Sequence, residues 1–120
     1  MQNNAIALPD EYRDLLSVLG YVYLQNGHAE RAVILFNALH ALDPEQSSIV
    51  NSLAWTSIHC GKAEEALILL DHRLQHSPTS PITHLLRSKA MIALGRSAEG
   101  AHSMQLFVRA RREQAVSGEE

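Results

Sequence analysis

Residues 27–32, Gly27-His28-Ala29-Glu30-Arg31-Ala32, decide the fold, because what surrounds them returns twice at one fixed distance. Gly27, Gly61 and Gly95 stand 34 residues apart. Ala29-Glu30-Arg31-Ala32 comes back as Ala63-Glu64-Glu65-Ala66 and, in weaker form, as Ser97-Ala98-Glu99-Gly100. Pro44 and Pro78 keep the same interval. So do the bulky residues Phe36, Leu70 and Met104, and the set Leu24, Ile58 and Ile92.

A period of 34 residues with small side chains at fixed offsets is the signature of tetratricopeptide repeats, each a helix, a tight turn and an antiparallel helix. Counted back from Pro44, the units cover residues 13–46, 47–80 and 81–114, followed by a tail at 115–120. Gly20, Ala54 and Ser88 on the first helices place small side chains where a neighbouring backbone comes close. Ala32, Ala66 and Gly100 do the same on the second helices. The expected fold is all-α: three tandem helix-turn-helix repeats in a short right-handed solenoid with a concave groove, one domain over residues 1–120.

The composition agrees. Of 120 residues, 46% are hydrophobic and 19% charged, as in an ordinary globular protein, and only 5% are aromatic, which suits helices held together by Leu, Ala, Ile and Val. A net charge of −3 gives no basic footprint, so nucleic acid is not an expected partner. Arg109, Arg111 and Arg112 complement the negative end of the last helix. Cys60 is the single cysteine, so no intrachain disulfide forms. Residues 1–8 lack the features of a signal peptide, and no apolar run reaches the length of a membrane span. These features predict a cytoplasmic protein with no membrane insertion.

Taken in order, Met1 to Leu8 is expected to be frayed or loosely docked. Pro9 and Asp10 open the first helix, in which Tyr12, Leu15, Leu16, Leu19, Val22 and Tyr23 recur at the helical spacing. Asn26-Gly27 closes it, and 28–42 returns with Ala32, Leu35, Phe36 and Leu39 inward. The second unit starts near Glu45, turns at Cys60-Gly61 and returns over 62–76. Ser80 followed by Pro81 predicts an N-cap and first helical residue for the helix at 82–94. The last helix runs from Ser97 to about Arg112. The tail from Ala115 onward carries no reason to order.

Stacked helix pairs leave a concave surface lined by the first helix of each. The side chains expected to line a partner-binding groove there are Tyr21 and Leu24, then Asn51, Trp55 and Ile58, then Ile82, Leu85, Lys89 and Ile92. Tyr21 and Trp55 occupy equivalent positions, and large aromatics are typical anchors for a bound partner. Met104, Phe107 and Val108 on the last periodic helix are expected to be uncovered, available to a partner or to self-association when no client is bound.

Residue chemistry for catalysis is not assembled. No nucleophile stands with a base, no carboxylates converge, and the glycines are turn glycines, so no enzyme activity and no cofactor are expected. His72 and His76 lie four apart on one helical face, but no third ligand is placed with them, so no metal site is expected either.

The run Leu24 to Glu45, LQNGHAERAVILFNALHALDPE, resembles the first repeat of the YscY-type (SctY) chaperones of bacterial type III secretion. Gly27, Ala29, Ala32 and Pro44 are general repeat residues, and His28, Glu30 and Arg31 add the specificity. The resemblance implies a small chaperone of the bacterial cytoplasm. It would form a heterodimer with a secreted SctX/YscX-like protein and, through that complex, engage the export gate protein. A chaperone of a needle or translocator subunit of the same apparatus is the nearest alternative, followed by a general repeat module for protein interaction. An Hsp70 or Hsp90 adaptor is disfavoured, because Lys89 alone is basic where a carboxylate clamp needs several cations.

Overall fold

Apolar residues at three- and four-residue spacing, interrupted by Gly or Pro at each joint, produce six consecutive helices. The computed structural model describes residues 9–117. Its helices are α1 (Asp10–Gln25), α2 (Ala29–Leu42), α3 (Ser47–His59), α4 (Ala63–His76), α5 (Pro81–Ala93) and α6 (Ser97–Val116), with no strand among the described residues. Each helix packs on the next, and α3 also touches α5, as in an all-α solenoid of helical repeats.

Two kinds of joint alternate. After α1, α3 and α5 the chain turns through Gly27, Gly61 and Gly95, at φ of +80°, +79° and +78°. Past each glycine a backbone N–H reaches back to close the helix: His28 to Tyr23, Lys62 to Ser57 and Arg96 to Met91, all at 2.8 Å. This is the Schellman closure, which needs a left-handed residue. A Cβ on any of the three would meet nothing within 4 Å, so the dihedral alone selects glycine. After α2 and α4 the joints carry Pro44 and Pro78 instead, and Gln46 N–H to Asp43 O and Ser80 N–H to Ser77 O make the turns, both at 3.2 Å.

Named contacts run antiparallel within the pairs. Arg13, early in α1, bonds Asp43 just after α2 at 2.8 Å, while Gly20 lies against the Phe36 ring at mid-helix. In the last pair, Ser88 Oγ donates to Gly100 O at 2.8 Å, and Arg87 Nη1 donates to Ser103 Oγ at 2.9 Å. Arg87 Nε also bonds Asp71 on α4 at 2.8 Å, so one guanidinium ties three helices.

The core has three linked clusters. Ala32, Val33, Phe36, Leu39, Ile49 and Leu53 join α2 to α3. Ala54, Ala66, Leu70 and Leu86 join α3, α4 and α5, and Ala63, Leu67, Ala90 and Met91 continue from α4 to α5. Alanines and serines at the closest approaches let backbones pack tightly.

Several sequence expectations are corrected. The last helix extends past Arg112 to Val116, so Ala115 and Val116 are helical and not part of a tail. Glu, Gln and Ala are good helix formers, and no stop signal precedes Ser117-Gly118. Ser80 takes the N-cap of α5 with Pro81 first in the helix, but its hydroxyl pairs with Thr83 Oγ1 at 2.9 Å and caps no backbone N–H. The apolar spacing of α1 also splits between two sides. Leu16, Tyr23 and Leu24 join the first core cluster, whereas Tyr12, Leu15, Val18, Leu19 and Val22 are 58%, 63%, 57%, 40% and 43% exposed. The reason is that α1 packs mainly on α2, so only one of its sides is covered. The expectations for residues 1–8 and 118–120 lie outside the described residues.

Candidate partner-binding groove

On α3 the helical period sorts side chains to two sides. Val50 and Leu53 are buried, while Ser48, Asn51, Ser52 and Trp55 recur at three and four residues along another face. With Tyr21 from α1 and Ile82, Leu85 and Leu86 from α5, they enclose an open cavity of about 380 Å³. Its walls are mostly apolar.

Tyr21 is held from two directions. Its hydroxyl hydrogen-bonds Ser52 Oγ across from α1 to α3, and its ring tilts against Phe36 with centroids 5.4 Å apart. Trp55 is half-buried. Its inner side packs on the cluster of Ala54, Ala66, Leu70 and Leu86, and its remaining surface lines the cavity. His59 stands edge-on to the indole at 4.6 Å, and Lys89 Nζ lies 5.6 Å from the ring centroid, a cation–π distance. Trp55 is thus fixed by its neighbours and still presents an aromatic surface. Asn51 Oδ1 is buried and has no hydrogen-bond partner among the described residues. A buried amide oxygen left unpaired carries a desolvation cost.

The structure brings Tyr21, Asn51, Trp55, Ile82 and Leu85 together around this cavity, with the Lys89 ammonium over the Trp55 ring. Leu24, Ile58 and Ile92 are placed differently. Leu24 packs on the first core cluster, Ile58 on the second and third, and Ile92 lies partly exposed beside Gly100. These three equivalent positions sit near the glycine joints. Ser52 and Leu86 line the cavity without having been singled out from sequence. They are 34 residues apart, and the three-residue step from Ser52 to Trp55 was the signal available for the first of them.

Elsewhere, Met104 and Val108 are exposed, while Phe107 is half-buried with the Arg111 guanidinium 5.8 Å from its centroid. The His72 and His76 rings are 4.8 Å apart, and His76 Nδ1 is engaged with His72 O at 3.1 Å. Cys60 is a free, half-buried thiol packed on the first core cluster. Among the described residues no helix is long and apolar enough to cross a membrane.

No family model matches the chain. Two curated proteins are similar to it: Chaperone protein YscY of Yersinia enterocolitica and Chaperone protein YscY of Yersinia pestis. Each is 28% identical over 103 residues, covering 86% of this chain and 90% of the relative. The similarity therefore extends well beyond the stretch around Gly27 that first suggested it. Over most of its length, the chain is similar to the YscY-type chaperones.

Proposed function

We propose that this protein is a type III secretion chaperone that binds and shields an export substrate, a SctX/YscX-like protein, in the cavity between α1, α3 and α5. The heterodimer then engages the export gate, and the chaperone works in the bacterial cytoplasm. The observation that carries this is the cavity itself: an apolar recess walled by a fixed tryptophan and tyrosine, with Ser48 and Asn51 as polar residues in its lining. Its likeness to proteins named as YscY chaperones supports the same role.

The task of such a chaperone is binding and release, with no bond made or broken. A protein bound for a narrow export channel has to keep apolar segments from packing prematurely. Each large apolar side chain moved from water into the cavity contributes about 1.5–3 kcal/mol. A helix roughly 10 Å across does not sink into 380 Å³, so the client lays one face over the opening and inserts its anchoring side chains. Tyr21, Trp55, Ile82 and Leu85 receive those side chains, with Ser48 and Asn51 as the polar part of the lining. Lys89 and His59 hold the indole plane in place. No cofactor, metal or nucleic acid enters this function.

Co-expression with the SctX/YscX-like protein of the same gene cluster, followed by size-exclusion chromatography with light scattering, tests it. A stable complex of defined mass is expected. Two separate peaks would remove that client and leave needle and translocator subunits as the alternatives. Within the complex, Trp55→Ala is expected to weaken client binding by about 1–2 kcal/mol, roughly five- to thirtyfold, with helix content nearly unchanged. If Trp55→Ala unfolds the protein while affinity per folded molecule stays the same, the indole is core and the cavity is not the binding site.

A further inference from the structure

Among the described residues, the largest set of open apolar side chains lies on α1, on a side that does not face the cavity. Tyr12, Leu15, Leu19 and Val22 follow one another at three, four and three residues, a narrow stripe of the kind two helices use to pack along a shared seam. Val18 borders it. From their exposures, these five residues leave on the order of 500 Å² of apolar surface open, the size of patch that marks an interaction site.

We propose that this stripe is the interface of a homodimer in which α1 packs antiparallel against α1 of a second copy. Three observations favour a second copy. The first is size matching: with α1 reversed on itself about its midpoint, Tyr12 meets the partner's Val22 and Leu15 meets the partner's Leu19. Large faces small at the ends and equal faces equal at the centre, so one surface complements itself, as a two-fold axis requires. The second is charge. Glu11 stands beside the stripe in the acidic first turn of α1, four residues before Leu15, and Asp14 borders Val18 in the same way. A parallel pair would set Glu11 against the partner's Glu11, whereas the antiparallel pair separates them by about 18 Å along the helices, beyond a Debye length at physiological salt.

The third is area. Two such faces bury about 1,000 Å² of apolar surface between them, the threshold for a specific but weak interface. An interface of that size is small, so the dimer is expected to dissociate on dilution. Tyr21 points to a different side of α1, toward Ser52 and the cavity, so dimer formation leaves the cavity open. The inference is independent of the client proposed above.

The test is sedimentation velocity of the purified full chain, without client, across about 5 to 500 µM. The expected result is a shift from the 13.3 kDa monomer to twice that mass. Leu15→Glu should weaken association about a hundredfold or more with an unchanged circular dichroism spectrum, and Val108→Glu on α6 should leave it unaltered. Mixing Leu15→Glu with Leu19→Lys should restore a dimer, because the register sets those two positions face to face. A monomer at every concentration overturns the proposal, and would mean that this face is covered from within the chain or kept for a different protein. A dimer that survives Leu15→Glu, or that Val108→Glu abolishes, overturns it as well.

Discussion

Replacing Gly20 by alanine sets two effects of opposite sign against each other. Alanine is favoured over glycine inside a helix by about 1 kcal/mol, so on propensity alone Gly20→Ala stabilises α1. The added Cβ, however, would stand 2.6 Å from both Cε2 and Cζ of Phe36, a separation real Cβ atoms do not show. Phe36 is fully buried and lies against Tyr21, so its ring has little room to retreat. Overpacking of this kind costs about 1–3 kcal/mol. The steric term wins, and the expected net loss is about 1 kcal/mol, or a fall in Tm of roughly 4 °C for a chain of this size. Thermal and urea unfolding of Gly20→Ala, Phe36→Leu and the double variant measure it. Phe36→Leu alone destabilises by opening a void, but combined with Gly20→Ala it relieves the clash, so the cycle should show a favourable coupling of at least about 1 kcal/mol. A more stable Gly20→Ala, or a cycle with no coupling, would refute the account of how α1 and α2 meet.

At Gly27 the obstacle is the backbone and not a neighbour: Gly27→Val forces a β-branched residue to φ of +80° and is expected to cost about 2 kcal/mol or more in chemical denaturation, with client specificity untouched. Arg87→Ala removes the half-buried bridge from α5 to Asp71 and Ser103 and should cost about 1–2 kcal/mol, whereas Arg87→Lys recovers only part of it because lysine cannot span both partners; urea midpoints decide this. The hydrogen bond from Arg96 holds the Glu99 carboxyl below the usual carboxylate range, so this pair's contribution is present above the unfolded-state pKa and is lost as pH falls through the lower folded one. Glu99→Gln should therefore slightly flatten the acid side of a Tm-against-pH curve, and an unchanged curve would show the exposed pair to be inert.

Much of the fold is legible because its joints are chemically distinctive. Gly27, Gly61 and Gly95 announce left-handed turns, and Pro44 and Pro78 announce stops, so helix order follows from spacing alone. The end of α6 is less legible, since Glu113, Gln114 and Ala115 are as compatible with a helix as with a tail. In the groove, the column containing Tyr21 and Trp55 reads easily because both residues are aromatic. The adjacent positions Ser52 and Leu86 pair a hydroxyl with an apolar side chain, and only the packing shows that Ser52 binds the Tyr21 hydroxyl. Leu24, Ile58 and Ile92 look like groove residues by period. Whether such a position faces the cavity or the helix-pair end depends on a fraction of a turn, which spacing does not resolve.

Trp55 is the sole tryptophan of the chain, and it stands in the wall of the cavity. The protein consequently carries its own optical probe at the place where occupancy matters. Indole emission shifts with the polarity around the ring, and the neighbouring His59 and Lys89 add a local field that any ligand settling over the ring would disturb. Excited at a wavelength that spares its three tyrosines, the unlabelled protein can be titrated by fluorescence, and the signal comes from one residue whose surroundings are known.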